Sequence, residues 1–169
     1  MQDLISMPLV GFPIIASLII MGTISNVSEE VRDKLVNPIR WAILLFSLGL
    51  LGLTTAMFYN YFGDLNGFEG IAFNSYEFTA RYAWVDSLGI YWSVGLDALS
   101  FPMVWLTTLL LPITIIATWN EKNGAYYHPL ILLMGGALIG VFVALDLFMF
   151  YVFWELTLIP MFFLILKWG

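Results

Sequence analysis

The sequence contains no cysteine and a single histidine, His128. Without thiols it has no disulfide, iron–sulfur cluster, thiolate zinc site or covalently attached c-type haem, and one histidine does not ligate a pair of b-type haems. Any redox centre that this protein serves therefore lies on another chain. Charge is scarce too. Only 11% of residues are charged, against about 25% in a soluble domain, while 61% are hydrophobic and 17% aromatic. That balance excludes a soluble globular domain and describes an integral membrane protein. The net charge is −6, but Glu29, Glu30, Asp64, Glu69, Glu77 and Asp86 fall between the apolar runs, where solvation accounts for them, and no nucleic-acid partner is implied. No Lys or Arg precedes Arg32, so the first apolar run lacks the basic flank of a cleaved signal peptide and reads as a retained membrane helix.

A helix that spans the bilayer needs about 20 apolar residues. Five stretches approach that length: Leu4 to Ser25, Ile39 to Phe62, Ala98 to Trp119, Tyr127 to Leu145 and Leu147 to Trp168. The expected fold is all-α with about five transmembrane helices. Residues 1–62 hold the first two helices and a connecting basic loop, 63–97 an extracytoplasmic loop opening with a turn at Asp64-Leu-Asn-Gly67, and 98–169 the last three helices. The last two stretches would make about 63 Å of continuous helix, twice the bilayer core, so a tight turn is required near Ala144 to Asp146. Asp146 suits that turn as a cap for the next helix.

Lys and Arg are retained on the cytoplasmic side. Arg32, Lys34 and Arg40 in the first loop, Lys122 in the third and Lys167 at the end of the fifth helix alternate so as to share one side, leaving only Arg81 opposite. This predicts the amino terminus outside. Trp84, Tyr91, Trp92, Trp119, Tyr126, Tyr127 and Trp168 fall near expected helix ends, where amphipathic rings favour the interface. Gly135, Gly136 and Gly140 in the fourth helix read as a helix-packing face, and Gly49 and Gly52 in the second read similarly.

The fifth helix carries the chemistry. Glu155 stands within an apolar run, and an ionisable side chain near the bilayer centre costs about 2.5 to 3.5 kcal/mol on insertion scales, which makes it a functional candidate. Pro160 has no amide hydrogen, so the Leu156 carbonyl loses its helical donor and a kink is expected beside the carboxylate. With Thr157 nearby, that carbonyl offers a place for a water and a stepping stone for a proton. The competing reading is a structural glutamate hydrogen-bonded between helices. No Lys or Arg lies deep in the five stretches to pair with it.

The segments Val94-Gly-Leu-Asp-Ala-Leu-Ser-Phe-Pro-Met, Gly135-Gly-Ala-Leu-Ile-Gly-Val-Phe-Val-Ala-Leu-Asp146 and Phe150-Tyr-Val-Phe-Trp-Glu-Leu-Thr-Leu-Ile-Pro-Met161 resemble the antiporter-like membrane subunits of respiratory complex I, the NADH-quinone oxidoreductase. The likeness is strongest to the M-type chain, subunit 4 in mitochondria, and covers roughly Trp84 to Gly169. It implies the N-terminal part of a fold of about 14 helices built from inverted repeats, taking part in proton translocation coupled to electron transport. It implies no cofactor or metal on this chain. NADH or another donor such as reduced ferredoxin or F420, with FMN, iron–sulfur clusters and quinone, would be handled by other subunits.

Implied partners are the other membrane subunits of the complex and the bilayer, in a prokaryotic cell membrane or an organelle inner membrane. By the resemblance, Glu155 is the family's essential intramembrane glutamate, and Asp97 matches an acidic position near the membrane surface. For Asp97, proton access and helix capping weigh equally. His128 matches nothing and reads as interfacial. In the family the lysine that pairs with the glutamate lies on a later, broken helix, beyond Gly169. A separate chain carrying the missing helices would supply it, docking on the glycine face of the fourth helix or on the kinked fifth. Two alternatives stay open: a subunit of a multisubunit sodium/proton antiporter, and a truncated scaffold subunit without pumping.

Overall fold

Glu29 and Glu30 place two carboxylates where the free amides of a helix start favour negative charge, and the Arg32 amide donates to the Ser28 carbonyl at 2.9 Å to begin the helical ladder. The second helix therefore starts ten residues before its apolar part, and the basic segment Arg32 to Arg40, expected as a connecting loop, is helical. In the computed structural model, which describes residues 6–63, 76–85, 87, 89–121 and 124–169, the elements in order are α1 (Ser6–Ser25), α2 (Glu29–Gly63), β1 (Glu77–Val85), β2 (Ile90–Leu96), α3 (Ser100–Ala117), α4 (Gly124–Val143) and α5 (Leu147–Trp168). All five helices are long and apolar enough to cross a membrane, as expected of an all-α membrane protein. Lys122 and the turn at Asp64 to Gly67 lie outside the described residues.

The segment expected as a plain loop contains a hairpin. β1 and β2 pair antiparallel, with Ala80 opposite Val94 and Tyr82 opposite Trp92, and Gly89 supplies a positive φ of 66° at the turn. The hairpin is fastened to the helices by its backbone. Val94 bridges Ala144, the Leu145 amide donates to the Ser93 carbonyl at 2.9 Å, and Trp84 meets Phe148 edge-on with centroids 5.7 Å apart. It thus closes the end of the bundle at which α4 turns into α5. Phe78 and Ala80 are buried, and Phe78 packs edge-on to Phe101 of α3.

α4 is the central helix, packed against α1, α2, α3 and α5. Within its membrane span it is 72% buried, whereas α5 is only 17% buried. Its glycines allow the close approach. A Cβ on Gly135 would strike the Leu111 side chain of α3, one on Gly136 would press on Pro13 and Ile14 of α1, and one on Gly140 would overlap the Phe153 ring of α5. This face is already filled from within the chain, so it does not receive a second polypeptide, contrary to one of the two docking sites expected. Gly49 and Gly52 face open space, with no neighbour against either among the described residues. A buried hydrogen bond of 2.7 Å joins Thr54 of α2 to Thr108 of α3.

Candidate functional site

α5 begins where Asp146 caps it: one carboxylate oxygen accepts from the amides of Phe148 at 2.8 Å and Met149 at 3.4 Å. This satisfies donors that the helix itself leaves orphaned. The tight turn and the capping aspartate are thus as expected. The helix runs on without a break through Pro160 to Trp168, although the Leu156 carbonyl has no amide partner there. Met149, Phe153 and Pro160 are its buried side chains, so this stripe faces α4 and the hairpin.

Glu155 lies two residues beyond Phe153. At about 100° per residue that is roughly half a turn, the opposite face of the helix, and its side chain is exposed there. Tyr151, one turn earlier on the same face, brings its hydroxyl near the Glu155 carboxylate. The two line a shallow apolar cleft of about 600 Å³ with Val152, Leu156, Ile159 and Phe162. Thr157 donates its hydroxyl to the Trp154 carbonyl at 2.7 Å, so that proton is not offered to the freed Leu156 carbonyl. Among the described residues the ion pair is Lys34 with Glu30, and no cation pairs with Glu155. The candidate carboxylate is therefore presented outward by a helix whose other side is anchored. Tyr151 was not singled out from the sequence, although its i,i−4 spacing from Glu155 was the available signal.

Asp97 is not brought to Glu155. It sits between β2 and α3, where its Oδ1 accepts from the Ser100 amide at 2.6 Å and the Leu99 amide at 3.0 Å, while its own amide donates to Ser100 Oγ at 2.9 Å. Burial pushes its acidity down, but the hydrogen bonds from Ser100 and Leu99 outweigh that, and the net effect holds its pKa below the ordinary 3.8. These bonds are those of a helix-start cap. His128, expected at the interface, is instead fully buried, with Nε2 3.4 Å from Thr118 Oγ1 and its ring against Tyr127. The close packing around α4 carries it inside.

Arg32, Arg40 and Lys167 gather at the opposite end of the bundle from the hairpin. Arg40 Nη2 donates to the Glu121 carbonyl at 2.8 Å, and Arg32 and Lys167 both approach the Tyr126 ring, at 5.4 Å and 5.3 Å from its centroid. The described members of the expected basic side thus share one end.

A bundle of five apolar helices long enough to cross a bilayer defines a multi-pass membrane protein. The chain belongs to the family of NAD(P)H-quinone oxidoreductase chain 4 and F(420)H(2) dehydrogenase subunit M, and the part of them that it matches is consistent with their N-terminal portion. It is 34% identical over 165 residues, 96% of its length, to NAD(P)H-quinone oxidoreductase chain 4 of Nostoc sp., and 37% identical over 162 residues to the chain of that name in Picosynechococcus sp.. To the F(420)H(2) dehydrogenase subunit M of Methanosarcina mazei it is 39% identical over 127 residues, 74% of its length. It spans 24 to 29% of the length of these relatives. No family model matches the chain. Cyanobacterial and archaeal relatives, together with five apolar helices, make it a multi-pass membrane protein of prokaryotic type.

Proposed function

We propose that this chain is a membrane subunit of a proton-pumping quinone oxidoreductase and that Glu155 carries protons within the membrane. The observation that supports this most is the outward presentation of Glu155, beside Tyr151, from a helix anchored on its other face. A charged carboxylate facing hydrocarbon costs about 2.5 to 3.5 kcal/mol, so helices that bring a polar or cationic partner must cover this face in the working assembly. A partner that approaches and withdraws would switch the carboxylate between holding and releasing a proton. Moving one charge against 100 mV takes about 2.3 kcal/mol, a scale that reorganising such a pair reaches.

In this reading the electron donor is NADH, NADPH or a reduced F420, as the relatives' names indicate. The donor, flavin, iron–sulfur and quinone sites belong to other subunits, and this chain contributes no redox step. The helices covering Glu155 come from further sequence on the same polypeptide or from a companion chain. Asp97 lies near the membrane surface as a lesser candidate for proton entry.

The test is Glu155→Gln in the assembled complex, reconstituted into vesicles, with quinone reduction and proton uptake measured together. Normal assembly with proton uptake per electron sharply reduced is expected. Unchanged uptake in this variant would reject the proton-carrier role and leave the chain a scaffold. Coupling that requires sodium would assign it to the antiporter alternative.

A further inference from the structure

We propose that the polar cavity enclosed by Arg32, Arg40, Tyr126 and Lys167 binds a phosphate-bearing anion, either the headgroup of an acidic phospholipid or free phosphate. The cavity measures about 100 Å³, several times the share of one water in the liquid, about 30 Å³. Asp33 and Glu121 also line it, so three cationic side chains face two carboxylates. None of those three cations forms an ion pair with a carboxylate among the described residues.

The decisive feature is an excess of buried donors. Arg40 is only 9% exposed. Its Nη2 is used by the Glu121 carbonyl and its Nη1 reaches Asn37 Oδ1 at a long 3.4 Å, but its Nε has no acceptor. Arg32 Nε is likewise buried without one. Buried polar groups are rarely left unpaired, and guanidinium donors match the oxygens of phosphate in a planar, forked geometry. Tyr126 draws Arg32 and Lys167 to its ring. The cations of the cavity thus outnumber its carboxylates by three to two, and with two guanidinium Nε donors unsatisfied the geometry suits an anion supplied from outside the chain.

Location points the same way. Trp168, ring to ring with Tyr127 at 5.1 Å, and Trp119, beside Trp41 at 5.0 Å, place interfacial aromatics at this end of the bundle. Basic pockets between helices at that depth meet headgroup phosphates.

The test uses the protein in its native membrane assembly, placed in bilayer discs of phosphatidylcholine alone or with phosphatidylglycerol. Native mass spectrometry reads the lipid retained, and equilibrium binding of labelled inorganic phosphate is measured in the phosphatidylcholine discs. Retention of phosphatidylglycerol assigns the site to a headgroup; binding of inorganic phosphate assigns it to the free anion. In either case Lys167→Gln and Arg32→Gln should weaken binding at least about tenfold, the scale of one hydrogen bond to a charged group, and Lys167→Arg should restore it. Retention of neither probe, or binding that both glutamine variants leave unchanged, would overturn the proposal. Lys167 is exposed, so its glutamine variant tests the site without removing core packing.

Discussion

The ring of Phe153 rests directly on the backbone of Gly140, so closely that a Cβ at position 140 would overlap Cδ1 and Cγ of the ring. The same ring meets Trp92 of the hairpin edge-on at 5.8 Å. This contact sets how near α5 lies to α4 and, through the helical spacing from Phe153, which way Glu155 points. Gly140→Ala is expected to destabilise the α4–α5 pair by about 1 to 3 kcal/mol, the cost of overpacking a filled interface. Gly49→Ala, at a glycine facing open space, should not lower stability. Thermal unfolding of the two variants in the same detergent checks the difference.

Asp146 caps the start of α5. Asp146→Ala should cost about 1 kcal/mol through loss of the cap, while Asp146→Asn keeps an acceptor oxygen and should cost less. Amide hydrogen exchange at Phe148 and Met149, whose amides the carboxylate accepts, is the direct readout. Faster exchange there in the alanine variant, with the rest of α5 unaffected, is the expected pattern.

The membrane spans were legible because apolar runs of bilayer length are a strong signal, and the Asp146 turn was legible because two spans cannot share one straight helix. The start of α2 was not: hydropathy marks only the part of a helix that lipid covers, and the stretch from Glu29 to Arg40 is a polar helical extension that begins with two first-turn acids. The hairpin was only half legible: Glu77 to Tyr82 alternates polar and apolar residues, the period of a half-buried strand, but Ile90 to Leu96 shows no such alternation. Tyr82 and Trp84 are exposed aromatics, and the pairing is irregular on both sides of Ala80 to Ala83. Glu155 was legible as an isolated acid in an apolar run. Its outward direction was not, since that depends on which stripe of α5 meets α4, and a nearly uniform apolar helix does not announce its buried side.

Asp97 gives the fold an acid dependence. Its pKa lies below the ordinary 3.8 in the folded chain, so its contribution to stability is fully present above 3.8 and is lost as pH falls through the lower, folded value. Asp97→Asn should flatten that part of the stability profile, because the amide accepts hydrogen bonds without titrating there. Unfolding temperatures of wild type and variant, compared from neutral pH down past 3.8, should converge in acid. Parallel curves throughout would mean that Asp97 is not the group responsible.

Tyr151 shares the open face of α5 with Glu155 and reaches its carboxylate. If Glu155 carries protons, the phenol positions it, and removing only the hydroxyl should be felt in translocation and not in assembly. Tyr151→Phe keeps the ring and its apolar contacts. It is expected to lower proton uptake per electron about fivefold, the equivalent of about 1 kcal/mol for one hydrogen bond. The double variant Tyr151→Phe, Glu155→Gln should translocate no worse than Glu155→Gln alone, because two groups that act through one another are not additive. Proton uptake and quinone reduction followed in the same vesicles separate the two cases: additive losses would assign Tyr151 an independent effect on α5, and non-additive losses would place it on the path through Glu155.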